Sequence, residues 1–222
     1  MLSAAGGILI IPVNFFADEK SKEIRQEFFN TFDIIHCNIF TEQMFEHTTY
    51  NVCSFSFKRK NNKNDAITFP VITFPQKEAH ILTLEKQYDW RIGGRYLRQI
   101  KNAPKLFTRL TKANPNPKGY ITNIKIICID KTNEPLHFTI DSPYYGLDTD
   151  RTVATLVSST ELSLDMQKRI VEKANQLITD YRQDCFNLCF TNYRDRNRKR
   201  IGFKEAYDFA ALSYNLLKST RE

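Results

Sequence analysis

The chain has 222 residues, 41% hydrophobic and 13% aromatic, enough for one large or two small domains with real cores and too apolar for wholesale disorder. No stretch approaches the roughly 20 apolar residues that a membrane-crossing helix requires. Five scattered cysteines, an odd set, argue against a secreted disulfide framework, so reduced thiols and a cytoplasmic location, without a membrane, are expected.

The chain opens on Gly6-Gly7 and an apolar run, Ile8 to Val13, which reads as a fully buried strand. It does not read as a signal peptide: no Lys or Arg precedes it, Pro12 and Asn14 interrupt it, and Asp18-Glu19 follow closely. Ser21 to Phe32 predicts a helix carrying Ile24, Phe28 and Phe29 on one face, and Asp33 to Phe40 predicts the next strand. Such β-α-β alternation at close spacing predicts a parallel, helix-covered sheet. In the segment Asn51 to Phe57, Cys53, Phe55 and Phe57 alternate with Val52, Ser54 and Ser56, the pattern of a strand entering a polar turn at Asn61 to Asp65. Ile67 to Phe74 resumes a β pattern, which Pro70 and Pro75 demote to an edge or irregular strand.

A domain boundary is expected between Gln76 and Arg91 and is drawn at residue 78, giving regions 1–78 and 79–222. Gly93-Gly94 opens a short helix that Pro104 must end or kink. From Arg91 to Lys112 there are seven basic residues (Arg91, Arg95, Arg98, Lys101, Lys105, Arg109 and Lys112) and no acid. If helical, they form one continuous stripe. Asn114 to Gly119 reads as a loop, followed by strands at Ile121 to Ile129 and Leu136 to Ile140.

The C-terminal part reads as helical. Ser158-Ser159-Thr160-Glu161 has capping-box spacing, and Leu162, Met166, Ile170, Ala174, Leu177, Ile178 and Tyr181 fall on one face. A last helix turns Phe203, Ala206, Tyr207, Ala210, Ala211, Tyr214 and Leu217 inward. Between them, Thr191 to Lys204 holds Arg194, Arg196, Arg198, Lys199, Arg200 and Lys204 against Asp195 alone. Outside the two basic stretches the formal charge of +7 becomes −5, so the positive charge is concentrated as in a polyanion-binding surface. Forked guanidiniums near helix ends suit phosphate oxygens, and solvated helix faces are the competing reading.

Other sites read as structural. Cys185 and Cys189 share a helix without a nearby histidine, so no metal is expected. His36, His47, His80 and His137 lack a nucleophile motif. Asp141 to Gly146, DSPYYG, has one proline where an amino-methyltransferase signature requires two, and reads as a turn.

The segments GGILIIPVNFF, FDIIHCNIF and FEHTTYNVCSFSFKRK, with RTVATLV, the long helix, TNYRDRNRKRIGF and the closing helix, carry a resemblance to a family. The chain resembles the C-terminal portion of N6-adenine-specific DNA methyltransferases of restriction-modification type, a bacterial and viral group. The resemblance implies an α/β fold in which the last strands of a Rossmann-like methyltransferase sheet precede a mixed α+β target-recognition region. It implies double-stranded DNA as partner and stacking of the extruded target base on Phe57, with Phe55 the alternate. It also implies S-adenosylmethionine as the complete enzyme's cofactor. The family's Gly-rich cofactor turn and Asn/Asp-Pro-Pro-Tyr/Phe motif do not occur in this sequence, so no catalytic residue and no cofactor binding are expected of this chain alone. It is then a truncated frame, a fragment, or one subunit of a split enzyme whose other chain brings those motifs. A non-catalytic DNA-binding module or inhibitor derived from a methyltransferase is the alternative, and a scaffold unrelated to nucleic acid a third.

Overall fold

The computed structural model describes residues 5–47, 50–111, 117–127, 136–140, 153–185 and 203–219. They are mixed α/β, with one sheet in each of two compact units. The first unit holds the described residues up to Arg95 together with residues 182–185, and the second holds Tyr96–Tyr181 and the C-terminal helix. None of their helices is long and apolar enough to cross a membrane.

In the first unit, β1 (Gly6–Pro12), β2 (Phe32–Phe40), β3 (Val52–Arg59), β4 (Ala66–Phe74) and β5 (Glu78–Glu85) form a sheet of order β1-β3-β2-β4-β5. The expected wholly parallel sheet is not what these strands build. Only β2 and β4 pair in parallel, and the other three pairings are antiparallel. The crossover through α1 (Asn14–Ala17) and α2 (Lys22–Thr31) does bring β2 back parallel to β1. β3 then inserts between them, antiparallel to both, which is a split β-α-β arrangement.

Alternation explains why β3 takes the centre. Cys53, Phe55 and Phe57 are buried on the helix side, while Ser54 and Ser56 on the other face are half-buried. α2 turns Arg25, Phe28 and Phe29 toward that side, and Phe32, which opens β2, continues the set. This is the i, i+3, i+4, i+7 spacing of one helix face. Ile24, expected inward, is exposed, because Arg25 occupies the inward place and donates from Nε and Nη1 to main-chain carbonyls.

β4 is interior rather than an edge strand. Its ladder with β2 begins at Val71, opposite Cys37, so Pro70 lies just before that ladder and its missing N–H breaks no pairing there. β5, which the sequence pattern did not predict, pairs with the whole of β4 and closes the sheet at Glu85, beyond residue 78.

The second unit holds β6 (Phe107–Arg109), β7 (Tyr120–Ile127), β8 (His137–Thr139) and β9 (Val153–Ser158) in the order β6-β9-β7-β8, all antiparallel. Every residue of β9 is buried, as expected of a central strand. α4 (Leu164–Asp184) directs Ile170, Ala174, Ile178 and Tyr181 into the core, and α5 (Phe203–Ser219) directs Ala206, Phe209, Ala210 and Ala211 there. The N-terminal cap of α4 is Ser163, whose hydroxyl accepts from Met166 N. Ser158, expected to begin a capping box, is instead the buried last residue of β9. Two amides stitch α4 to the sheet: Gln167 accepts from Asn123 N at 2.7 Å, and Asn175 both accepts from Phe138 N and donates to Phe138 O.

Candidate nucleic-acid interface

The residues expected to stack on a base are core side chains. Phe55 and Phe57 are 1% and 4% exposed. Phe57 meets Phe32 at 5.0 Å and Phe28 at 5.4 Å between ring centroids, and Phe55 meets Phe16 at 5.5 Å. Neither ring presents a face to solvent in this packing, because the alternation that brings them together also turns them toward α2.

Rings exposed to about half lie elsewhere. The ends of β1 and β2 and the start of β3 are in register, with Pro12 opposite Val52 and Val52 opposite Phe40. β1 and β2 run parallel, so this rim is their shared carboxyl end, the place where open α/β sheets hold ligands. The connection from β2 to β3 there carries Met44, Phe45 and Tyr50, 47%, 52% and 49% exposed. Asn14, just past β1, has a buried Oδ1 with no hydrogen-bond partner among the described residues, while its Nδ2 donates to Asp18 at 2.7 Å. Sequence reasoning passed over Phe45 and Tyr50. The available signal was two aromatics outside any alternating run, in the connection between two strands.

The basic stretch splits between elements. α3 (Gly94–Lys101) buries Leu97 and Ile100 and exposes Arg95, Arg98 and Lys101, at spacings of three that keep them on one side. The helix ends before Pro104, so the stripe does not continue as one helical face. Beyond it Lys105 forms a 2.7 Å ion pair with Asp208, and Arg109 lies half-buried on β6. Before it, Arg91 donates from Nε to Ala17 O and lies 3.7 Å from Glu19. An open polar cleft of about 270 Å³ between β5 and the start of α3 is bordered by Arg91, Arg95, Tyr88, Thr83 and Glu85. Lys112, Arg194, Arg196, Arg198, Lys199 and Arg200 lie outside the described residues, as do Asp141–Gly146 and Cys189.

Other chemistry finds little support here. The hydrogen bond with Cys37, followed by burial, pushes the Cys53 thiol well above its usual range, so it stays protonated at neutral pH and is no nucleophile. Among the described residues no group of three His, Cys, Asp or Glu is placed to hold a metal. The residues present also do not fit S-adenosylmethionine as its family's turn would bind it. The chain passes from β1 into α1 through Pro12-Val13-Asn14, with no glycine to let the backbone approach a ligand, and Gly6 and Gly7 lie at the opposite end of the strand. A scan against protein-family models finds no match, and a search of curated proteins finds none either.

Proposed function

We propose that the chain is part of a site-specific DNA adenine N6-methyltransferase, recognising double-stranded DNA and receiving the extruded base; the family's cofactor-binding and catalytic motifs do not occur in this sequence. The observation that carries the reading is the outward basic side of α3, where Arg95, Arg98 and Lys101 stand exposed over a buried Leu97 and Ile100. Guanidinium and ammonium groups on a firmly packed helix are suited to phosphate oxygens, which fix the register of a protein on a duplex. The resemblance of the N-terminal segments to the methyltransferase family supports the enzymatic half. On this reading β1, β3 and β2 are the closing strands of a Rossmann-like sheet, and the second unit belongs to target recognition.

The adenine amine is paired inside the duplex, so enzymes that modify it take the base out of the stack and hold it by stacking and hydrogen bonds. Phe45 and Tyr50 at the carboxyl rim are the rings this chain offers for that task. S-adenosylmethionine supplies the methyl group in the complete enzyme, and no step through it is assigned to these residues.

Fluorescence anisotropy of a labelled duplex across a salt series tests the reading. Affinity should fall linearly on a log-log plot with a slope near −0.9 for each phosphate neutralised. Affinity that is independent of salt, or absent at low salt, would remove DNA as the partner.

A further inference from the structure

The edge of the first sheet at β1 is built from residues that ordinarily lie inside a protein. Among the described residues β1 pairs with β3 alone, and its run Gly-Gly-Ile-Leu-Ile-Ile-Pro carries no charge. Ile8 and Ile10 are 75% and 61% exposed on the face away from α2. Edge strands normally protect themselves with charges, bulges or a covering element. β1 has no charge, and among the described residues nothing covers these two isoleucines.

The hydrogen bonds show which atoms the edge offers. Arg59 N donates to Ala5 O, and Val13 N donates to Asn51 O, so the odd-numbered residues turn their main-chain groups toward β3. In a strand the even-numbered ones then turn theirs outward. Gly6, Ile8 and Ile10 present both an N–H and a C=O, and Pro12 presents a C=O only. The set is complementary to itself: in an antiparallel pair centred on Leu9, the N–H groups of Gly6, Ile8 and Ile10 meet the carbonyls of Pro12, Ile10 and Ile8 of the second strand. Every outward donor finds an acceptor, and the proline, which cannot donate, serves only as an acceptor. The same register sets Ile8 beside Ile10 of the other strand twice over, gathering four isoleucines on one face, with no like charges opposed.

We infer that two copies of this chain associate through β1, antiparallel about a two-fold axis at Leu9, joining their five-stranded sheets into one of ten strands. This is an isologous contact, the commonest kind among homo-oligomers; it does not depend on DNA binding, and any strand that continued the first sheet at β1 would compete with it for the same edge.

The test is light scattering or sedimentation of the purified chain over a concentration series. It should show a protomer–dimer equilibrium, and Ile8→Lys/Ile10→Lys should shift the chain to the protomer mass, because lysines would face each other across the pair. Both side chains point to solvent in the single protomer, so the circular dichroism and melting of this variant should match the parent. Leu9→Cys reads the register: in a non-hydrogen-bonded antiparallel pair the two Cα atoms are about 4.5 Å apart, within reach of a disulfide, so mild oxidation should give a covalent dimer. A protomer mass at every concentration would overturn the inference and leave this edge to another polypeptide. A dimer that survives both lysines would place the interface elsewhere, and a dimer that Leu9→Cys does not cross-link would refute the pairing.

Discussion

Arg25 and Asp89, 64 residues apart in sequence, are joined by a 3.0 Å hydrogen bond from the guanidinium Nε to the Asp89 carbonyl oxygen. The same guanidinium donates from Nη1 to the carbonyls of Phe15 at 2.8 Å and Asp18 at 2.6 Å. Arg25 therefore pins the end of α1 and the turn before α3 to α2. Asp89 and Trp90 in that turn both have positive φ, 59° and 54°, a conformation that needs support from its surroundings. Burial, and secondarily the nearby Arg91, draws the Arg25 pKa down to about 10, so the side chain is still charged at neutral pH, donating from Nε and Nη1 while Nη2 is buried without a partner among the described residues.

Arg25→Ala should lower the stability of the first unit by several kcal/mol, at about 1 to 3 kcal/mol for each carbonyl left buried without a donor. Arg25→Lys should recover less than half of this, since one ammonium cannot reach three carbonyls in a guanidinium's geometry. Urea unfolding followed by the fluorescence of Trp90, which stacks on Phe29 at 5.0 Å, measures it. A loss below about 1 kcal/mol for Arg25→Ala would mean that water replaces the guanidinium and that the pin is dispensable.

The two groups of aromatics should separate by phenotype. Phe57→Ala should cost about 3 to 5 kcal/mol, as large-to-small changes in packed cores do. Phe45→Ala, at an exposed loop position, should stay within about 0.5 kcal/mol. With a duplex carrying 2-aminopurine at an unpaired site, stacking on Phe45 should quench fluorescence, and Phe45→Ala should restore it while overall affinity changes little. Unchanged fluorescence in both Phe45→Ala and Tyr50→Ala would remove base stacking from this rim.

Much of the first sheet was legible because its strands carry clear alternation. β2 and β3 fall within two residues of their expected limits, and Phe28 and Phe29 are inward as read. The pairing directions were not legible. A β-α-β pattern makes β1 and β2 parallel but does not say whether a later strand enters between them, and β3 does so through long-range contacts that no local signal encodes. Arg25 was missed for a related reason. A charged residue at an inward helical position scores as an outward one unless the carbonyls that receive it are known, and those come from residues 15, 18 and 89. At the candidate site, the family resemblance favoured Phe57 and Phe55, whereas exposure, which depends on the assembled sheet, favours Phe45 and Tyr50.

In the second unit, Asn175 does for β8 what a neighbouring strand would. Its amide spans Phe138 with two hydrogen bonds, 2.7 Å from the N–H and 2.9 Å to the carbonyl. Asn175→Asp keeps the acceptor but loses the donor and sets a carboxylate against the Phe138 carbonyl. Hydrogen exchange at the Phe138 amide should accelerate, and the unit should lose about 1 to 3 kcal/mol, the cost of leaving a buried polar group unsatisfied. Unaltered exchange would show that β8 is held by β7 alone.

The basic residues of α3 and the lysine beyond it can be separated by their effect on the salt dependence of binding. If α3 faces the duplex, replacing Arg95, Arg98 and Lys101 together by Ala should flatten the log-log salt dependence of binding by about 2 to 3 units, near 0.9 for each lost phosphate contact. All three stand outward from the helix core, so the melting temperature should change little. Lys105 is the internal control. Its ammonium lies 2.7 Å from Asp208, whose side chain is 8% exposed, so that charge is largely spent within the unit. Lys105→Ala should leave the salt slope nearly as it was and act instead on stability, by exposing Asp208 without its partner. A slope unchanged by the triple substitution would return α3 to the role of a solvated surface helix, and a slope flattened as much by Lys105→Ala alone would show that the duplex competes with Asp208 and that the contact surface extends past the end of α3.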